Sequence, residues 1–454
     1  MEIMLNRLKE FSGSAFIRYR GQVVTYDELV AGILSWLGKF REMGIKPGAV
    51  VSVVGRFSPD SITLMLALLE NRNIVTPLDD ETQEDLANRH RIAKVEHHFR
   101  FSTDAGFMHE RLHATADHPL FDRLRERAEA GIILFTSGST GECKAAVHSF
   151  DRLVEKHVSD QNRKPMNAMV FLKFDHIGGL NTMLWVLMNG GCIIAVEDRS
   201  PSAVCRLIDE AKVELLPTTP SFLNMLILSK MWEKHDLSSL KIIAYGTESM
   251  PESTLRSMSQ VFPHVKLKQT YGLTELGIFS TKSRSSQSTF MAIREGDVKT
   301  KIKDGILYIK SKSAMLGYLN ADHPFDAEGW YNTGDRVVVE DGYTKILGRD
   351  SEIINVGGVK VFPSEVESVL LEMDNVADVT VHAKNSPIVG QIVAAIFNLK
   401  RKEELADLRK RVWEHCHGRL ETYKIPRHIV ISDAQLVSVR LKKIRRITPH
   451  VTVA

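Results

Sequence analysis

Short apolar strands alternate with amphipathic helices up to about residue 270 of this 454-residue chain, and that alternation constrains its fold most strongly. In residues 25–44, Thr25 and Glu28 have the spacing of a helix capping box, and Gly44 suits the position after the last turn. The apolar run at residues 50–54 is typical of a buried strand. Such alternation predicts an α/β architecture, with helices packed on mostly parallel sheets.

The pattern changes in the last third of the chain. Short strand-like segments separated by Asp-Gly and Glu-Gly turns predict a small β-rich subdomain at about residues 293–347. Beyond it, strand patterns flank a helix predicted near residues 402–420, as in a compact α+β unit. We therefore expect a large N-terminal domain of layered α/β sheets at residues 1–349 and a small, mobile α+β domain at residues 350–454.

Composition excludes several classes of protein. With 43% hydrophobic and 25% charged residues, the chain is typical of a globular protein. Its 59 Lys and Arg against 56 Asp and Glu leave a net charge of +3, too small to suggest a nucleic-acid partner. It has no apolar run of about 20 residues that would span a membrane and no signal-peptide pattern. Four cysteines without a CxxC pair favour the reducing cytoplasm.

The strongest local sign of chemistry is the segment at residues 132–144, where an apolar strand runs into small hydroxyl and glycine residues and then a lysine. Glycines let the backbone approach an anion, and N–H groups and hydroxyls can cradle phosphate oxygens. The segment is not a Walker A loop, because two residues separate Gly141 from Lys144. An exposed Ser/Thr/Gly surface loop is the alternative interpretation.

Further short motifs follow in a fixed order, and each is weak alone. They are T-Y-D-E-L at 25–29, A-Y-G-T-E at 244–248, Y-G-L-T-E at 271–275, T-G-D at 333–335, and L-G-R at 347–349 followed by the glycine-containing stretch 355–367. Taken together with the loop at 136–144, they resemble the adenylate-forming superfamily of acyl- and aryl-CoA synthetases, peptide-synthetase adenylation domains and firefly luciferase. In its short length the chain resembles compact members such as the o-succinylbenzoyl-CoA synthetase-like ligases.

The resemblance implies a two-step reaction. A carboxylate attacks the α-phosphate of ATP, giving an acyl-adenylate and pyrophosphate, and a thiol then displaces AMP. Coenzyme A is the expected thiol, and the phosphopantetheine of a carrier protein is the alternative. A nucleotide-binding homologue without catalysis is a third possibility. The resemblance also implies Mg²⁺ as a cofactor.

The resemblance assigns tasks to individual residues. Thr274 would donate to the α-phosphate, Glu275 would bind Mg²⁺, and Asp335 would accept from the ribose hydroxyls. The expected nucleotide-binding residues are Thr136, Ser137, Gly138, Ser139, Thr140, Gly141, Lys144, Gly246, Thr247, Glu248, Tyr271, Gly272, Asp335 and Arg349.

The family's closing motif, P-R-T-x-x-G-K, aligns with residues 437–443. This alignment places Lys443 on the catalytic lysine that bridges carboxylate and α-phosphate, while Lys442 replaces the preceding glycine and is the alternative candidate. Hinge residues are expected at Asp350 and Ser351. The approach of the thiol is expected along Gly357 and Gly358, where a bare backbone leaves room.

The acyl pocket is expected beside His176, in a segment that resembles the family's H-x-x-G-L; a packed core histidine is the alternative. Amino-acid-activating relatives carry an Asp that binds the α-ammonium, but here Ile177, and not Asp175, aligns with it. We therefore expect an acid without an α-amino group. The other expected pocket residues are Thr219, Phe222, Gly246 to Ser249, Thr270 and Gly277. Their small or polar side chains favour a small, aryl or hydroxylated acid.

Overall fold

The computed structural model describes residues 2–79, 82–102, 106–137, 143–158, 164–294, 296, 298–438 and 440–445. Elements are numbered in chain order. The helices of this part of the chain are α1 (Glu2–Lys9), α2 (Tyr26–Met43), α3 (Pro59–Glu70), α4 (Gln83–Ala93), α5 (Pro119–Glu126), α6 (Phe150–Val158), α7 (Ile177–Met188), α8 (Pro201–Ala211), α9 (Pro220–Ser229), α10 (Glu252–Val261), α11 (Pro363–Leu370) and α12 (Leu405–Cys416). Short 3₁₀ turns occupy Met231–Glu233, Asp350–Glu352 and Thr422–Lys424.

Helix α2 forms as its local sequence predicts. The Thr25 hydroxyl accepts the N–H of Glu28 at 3.3 Å, and the Glu28 carboxylate accepts the N–H of Thr25 at 2.7 Å. Gly44 ends the helix in the left-handed conformation, with φ +71°. The capping box and the terminal glycine are thereby confirmed.

The first sheet has seven strands in the order β13-β12-β11-β9-β10-β1-β2. Its strands are β1 (Ala15–Tyr19), β2 (Gln22–Thr25), β9 (Asn167–Val170), β10 (Cys192–Ala195), β11 (Leu215–Thr218), β12 (Ile242–Tyr245) and β13 (Lys266–Gln269). All neighbours are parallel except β1 and β2. Because most strands are parallel, several loops follow the strands at one edge of the sheet, where ligands bind in open α/β folds.

The second sheet also has seven strands, in the order β20-β8-β7-β4-β3-β5-β6. Its strands are β3 (Val50–Val54), β4 (Ile74–Leu78), β5 (His97–Ser102), β6 (Gly106–Arg111), β7 (Gly131–Ser137), β8 (Cys143–Ser149) and β20 (Gly317–Tyr318). One hydrophobic cluster joins helices α2, α3 and α7 to strands of both sheets. The helices therefore lie between the two sheets, and the predicted layered α/β architecture is confirmed.

A third, antiparallel sheet follows in the order β16-β17-β22-β21-β19-β18. Its strands are β16 (Thr281–Ser283), β17 (Met291–Ile293), β18 (Val298–Lys303), β19 (Ile306–Ser311), β21 (Tyr331–Glu340) and β22 (Tyr343–Arg349). The hairpin of β14 (Tyr271–Leu273) and β15 (Gly277–Phe279) precedes it. The β-rich region thus begins before the predicted residue 293, because β16 pairs with β17.

The last sheet has β24-β23-β26-β25 in order, with β27 beside β26. Its strands are β23 (Ile354–Val356), β24 (Val359–Val361), β25 (Val376–Ser386), β26 (Gly390–Leu399) and β27 (His428–Ile431). With α11 and α12 it encloses a separate hydrophobic core between Ile354 and Ile429. The division at Arg349/Asp350 stays a prediction.

Helix α12 is shorter than the predicted helix at 402–420. It ends at Cys416, because His417 is extended with ψ 127° and Gly418 follows with φ +79°. No helix in the described part of the chain is both long and apolar enough to cross a membrane.

Candidate active site

A cavity of about 590 Å³ opens between one face of the first sheet and helix α7. Pro217, Ala244 and Lys268 are neighbours in the parallel register of β11, β12 and β13, so their side chains share the face that lines it. Helix α7 contributes the face Ile177, Gly178, Asn181, Thr182 and Trp185. The cavity therefore continues from the loops at the sheet edge to the space between sheet and helix.

Many of the expected site residues meet at this cavity. The lining residues that the sequence predicted are Thr136, His176, Gly246, Thr247, Thr270, Tyr271, Gly272, Thr274, Glu275 and Arg349. A side chain at Gly246 would collide with the hydroxyl and carbonyl oxygens of Thr270, so the close approach of these two loops requires glycine. Residues 138–142 and the side chain of Ser137 lie outside the described residues, and their phosphate-binding roles stay predictions.

Asp335 lies behind the cavity wall and orients two of its side chains. Its carboxylate accepts a hydrogen bond from the Tyr271 hydroxyl at 2.5 Å and pairs with Arg349 Nε at 2.9 Å. Burial and the neighbouring carboxylate raise the pKa of Tyr271, which therefore stays protonated and donates. The arrangement presents a phenol and a guanidinium backed by one buried acid.

Glu275 is anchored from the second sheet. The Tyr318 hydroxyl donates to Glu275 Oε1 at 2.6 Å, and the Met315 N–H donates to the Glu275 carbonyl at 2.8 Å. Burial and Glu275 raise the pKa of Tyr318, which again keeps the donor protonated. Among the described residues no group of three or more His, Cys, Asp or Glu could hold a metal, and Glu275 is the carboxylate among the described residues that line this cavity.

A C-terminal hairpin, residues 436–438 and 440–445, closes one side of the cavity. Ile444 donates its N–H to the Leu436 carbonyl at 2.9 Å, and Leu441 turns with φ +53°. The Thr219 hydroxyl donates to the Leu441 carbonyl at 2.8 Å, and Glu248 accepts the Lys443 N–H at 3.0 Å. Thr219 and Glu248, expected as pocket and nucleotide residues, thus hold this hairpin in place and do not line the cavity.

The hairpin presents Lys442, and not Lys443, to the cavity. The Lys443 ammonium is buried on the other side, where it donates to the Val379 carbonyl at 2.6 Å and pairs with Asp378 at 3.1 Å. Burial lowers the pKa of Lys442, and Arg440 and Arg349 act in the same direction. Of the two lysines that the sequence left open, Lys442 therefore lines the cavity and Lys443 does not, and the choice of the bridging lysine stays a prediction.

Glu367 was missed by the sequence analysis and anchors the hairpin to the last sheet. Only 1% of the residue is exposed, and its carboxylate pairs with Arg445 at 2.8 Å and with Lys443 at 3.8 Å. These cations hold the pKa of Glu367 below its usual range despite burial. The sequence shows Glu367 in a helix that begins with a proline. Nothing local identifies its two partners, which lie 76 and 78 residues further along the chain.

His176 lies at the cavity and begins helix α7. Its Nδ1 accepts the Gly178 N–H at 3.0 Å, which requires an unprotonated nitrogen there. Burial, with Lys442 and Arg440 nearby, lowers the pKa of His176 well below its usual value. Asp175, one residue earlier, pairs with Arg440 and does not line the cavity, whereas Ile177 does.

Other expected residues lie elsewhere. Phe222 is fully buried against Phe171, with ring centroids 4.5 Å apart, and it does not line the cavity. Lys144 lies over the Tyr318 ring, 5.4 Å from its centroid, and Asp350 pairs with Arg336 at 2.6 Å. The remaining expected residues that do not line the cavity are Ser249, Gly277, Ser351, Gly357 and Gly358.

Some cavity residues were not predicted. Lys156 reaches in from α6, donating to Asn181 Oδ1 at 2.7 Å and to the Ile278 carbonyl at 2.9 Å. The others not predicted include Leu172, Trp185, Pro217, Lys268, Phe279 and Arg294. Helical spacing in α7 would have grouped Asn181 and Trp185, but apolar residues occur on all sides of that helix, so their pattern does not reveal its cavity face.

Comparison with known proteins gives two family matches. The sequence model of the AMP-binding enzyme family matches residues 6–319, and that of the AMP-binding enzyme C-terminal domain matches residues 365–443. An indoleacetate–CoA ligase of Aromatoleum aromaticum is 27% identical over 345 residues, covering 69% of this chain and 66% of that protein. A 4-coumarate–CoA ligase-like protein of Oryza sativa is 25% identical over 94% of this chain and 84% of its own.

This chain spans less than two thirds of some relatives, for example 66% of the indoleacetate–CoA ligase and 59% of acyl-CoA synthetase 7 from Caenorhabditis elegans. Solved structures share the fold at low identity. An anthranilate CoA ligase bound to anthranoyl-AMP superposes with a TM-score of 0.82 at 18% identity, over 97% of this chain and 95% of that one. An amide bond synthetase from Marinactinospora thermotolerans gives 0.76 at 21% identity, over 96% of each chain.

Proposed function

Because the chain belongs to the AMP-binding enzyme family, we propose that it activates a carboxylic acid with ATP and passes the acyl group to a thiol. In the first half-reaction, a carboxylate oxygen bonds to the α-phosphorus and pyrophosphate leaves. In the second, the thiol sulfur bonds to the acyl carbon and AMP leaves. The observation that carries the proposal is the meeting of Thr274, Glu275 and Lys442 at one cavity, although they lie up to 168 residues apart.

The first half-reaction brings two anions together, and positive charge placed beforehand at that point lowers the barrier. We assign this role to the Lys442 ammonium, between the carboxylate and the α-phosphate. The Thr274 hydroxyl is the matching neutral donor. The loss of one such preorganised donor typically costs about 10²–10³-fold in rate.

The nucleotide would lie along the loops at the sheet edge. Gly246 and Thr247 would provide the open backbone for the base, and Tyr271 and Arg349, which are held by Asp335, would face the ribose and α-phosphate. Glu275 fits Mg²⁺, since its carboxylate oxygens are hard ligands and phosphate oxygens can complete the shell. When bound, Mg²⁺ would neutralise charge on the departing pyrophosphate.

The acid would occupy the space between α7 and the first sheet. Ile177 lines this space, while the Asp175 carboxylate is paired with Arg440, which supports an acid without an α-ammonium group. Trp185 and Phe279 offer aromatic surface, and Asn181 and Thr182 offer polar groups. This mixture favours a small aryl or hydroxylated acid, as do relatives named for indoleacetate and 4-coumarate.

Coenzyme A is the proposed thiol, since the named curated relatives are CoA ligases. Delivery would require the last sheet to turn about Asp350 and Ser351, bringing Gly357 and Gly358 to the cavity. Loading of a carrier protein is the second candidate for the acceptor. A purely nucleotide-binding role has less support, because Thr274, Glu275 and Lys442, the residues proposed for the chemistry, are all present at the cavity.

The test is product analysis with ATP, Mg²⁺ and coenzyme A. Pools of aryl, hydroxy, short-chain, fatty and amino acids are incubated with the purified chain, and acyl-CoA and AMP are measured by mass spectrometry. We expect one acyl-CoA from the aryl or hydroxy pool, with AMP in equal amount. AMP and pyrophosphate without acyl-CoA would favour a carrier protein, and neither product with measurable ATP binding would contradict the proposal.

A further inference from the structure

An ion pair joins the C-terminal hairpin to the loop before helix α7. Arg440 Nη2 lies 2.6 Å from Asp175 Oδ2, and the side chains are 30% and 3% exposed. The second acidic oxygen, Oδ1, is buried without a hydrogen-bond partner among the described residues. A buried carboxylate is costly unless a cation compensates it, so Asp175 favours the position of the hairpin that brings Arg440 to it.

Two further arginines, Arg89 and Arg199, also interact with the charge of Asp175. Arg89 Nη1 is 3.9 Å from Asp175 Oδ2, beyond hydrogen-bond distance. Lys173, two residues earlier, pairs with Asp79. Arg440 is therefore the cation whose contact with Asp175 has the geometry of a charge-assisted hydrogen bond.

The same turn of the hairpin carries Arg440 and Lys442. Leu441 lies between them with φ +53° and packs against the hydrophobic cluster formed by α8, α9 and strands of the first sheet. Its carbonyl accepts a hydrogen bond from the Thr219 hydroxyl. The Ser438 hydroxyl accepts the N–H groups of Arg440 at 3.3 Å and of Lys442 at 3.4 Å. A restraint on the Arg440 side chain thus also restrains the backbone that carries Lys442.

We propose that Asp175 is a positioning residue for adenylation: by holding Arg440, it keeps Lys442 in the cavity. The inference rests on the proposed function for its catalytic consequence. Its structural consequence, a more weakly held hairpin without Asp175, does not depend on the identity of the acid. Asp175, which the sequence analysis compared with the ammonium-binding Asp of amino-acid-activating relatives, would therefore bind an arginine of the protein itself.

The test is hydrogen–deuterium exchange of the full chain, without ligand, in wild type, Asp175→Asn and Arg440→Gln. We expect amides of residues 440–445 to exchange about tenfold faster or more in both variants, while β25 and β26 keep wild-type rates. The double variant should resemble the single ones, because either change removes the same pair. Arg256→Gln, which removes the ion pair between α10 and Glu372 just after α11, should leave the hairpin unchanged.

The proposal would be overturned if hydrogen–deuterium exchange of the hairpin is unchanged in these variants. It would also be overturned if exchange in β25 and β26 rises as much as in the hairpin. A catalytic readout separates positioning from general support of the fold. With an acid found by product analysis, Asp175→Asn should slow pyrophosphate exchange about 10–100-fold and leave thioester formation from supplied acyl-adenylate unchanged. Arg440→Lys, which keeps the positive charge, should slow pyrophosphate exchange less than Arg440→Gln does. If the wild type activates no acid, hydrogen–deuterium exchange still tests whether Asp175 holds the hairpin in place.

Discussion

The two adjacent lysines of the C-terminal hairpin lie in different electrostatic environments. Lys442 lines the cavity with positive groups nearby, whereas Lys443 is enclosed by Glu367, Asp378 and a backbone carbonyl. Sequence alignment selects Lys443, because the family motif is matched position by position along the chain. Such a match cannot show towards which side a turn directs each side chain. The positive φ of Leu441 is the local cause that the sequence did not reveal.

Lys443→Met tests the structural role of the second lysine. Removing the cation leaves the Glu367 and Asp378 carboxylates with one partner fewer, and breaking a buried pair typically costs about 3–5 kcal/mol. We expect a loss of this size in the free energy of unfolding, measured with urea. Lys410→Met, at an exposed pair with Glu414, is the matched control and should change stability by less than about 0.5 kcal/mol. Equal effects of the two substitutions would contradict the assignment.

The environment of Lys442 predicts the pH dependence of adenylation. Burial, Arg440 and Arg349 lower its pKa, and only the protonated ammonium can bridge two anions. The rate of pyrophosphate exchange should therefore fall as pH rises through a pKa below lysine's usual value of about 10.4. Lys442→Arg should move this decline to higher pH, because arginine stays charged. An unchanged alkaline limb in that variant would show that another group titrates.

At the scale of single elements, local rules predicted what local contacts decide. The capping box and terminal glycine of α2 depend on residues within one turn, and both are confirmed. Helix α12 was predicted too long, since its first residue has no side-chain cap and no local signal fixes its ends. The cavity face of α7 was also not predicted, because a helix between two sheets carries apolar residues on all sides.

Thr25→Ala measures the contribution of the α2 capping box. The substitution removes the acceptor for the Glu28 N–H and should lower the free energy of unfolding by about 1 kcal/mol. Gln22→Ala, on the exposed side of β2, is the control and should stay within about 0.5 kcal/mol. Urea unfolding of both variants gives the comparison. A Thr25 variant as stable as wild type would mean that tertiary packing alone sets the start of α2.

At the scale of the whole molecule, the site is assembled from distant segments. Thr219 and Leu441 meet across 222 positions, and Arg440 and Asp175 across 265. The layered α/β fold was predictable because alternation of strands and helices is a local signal. The contacts of the hairpin were not, since no period or motif specifies which loop it covers.

Ser351→Pro tests the proposed hinge. Proline fixes φ and should hinder the turn that brings Gly357 and Gly358 to the cavity. We expect thioester formation from supplied acyl-adenylate to slow about tenfold or more, while pyrophosphate exchange is retained. Ser351→Ala leaves the backbone free and should affect neither half-reaction. An equal loss of both in the proline variant would place the hinge elsewhere.

Carboxylate-dependent ATP–pyrophosphate exchange in wild type, Lys442→Ala and Lys443→Ala tests the central claim most directly. We predict exchange with one acid in the wild type, a fall of about 10²–10³-fold in Lys442→Ala, and most of the activity per folded molecule in Lys443→Ala. The reverse order of the two variants would contradict the assignment of Lys442. Absence of exchange with every acid, in a protein that binds ATP, would contradict the proposed adenylation itself.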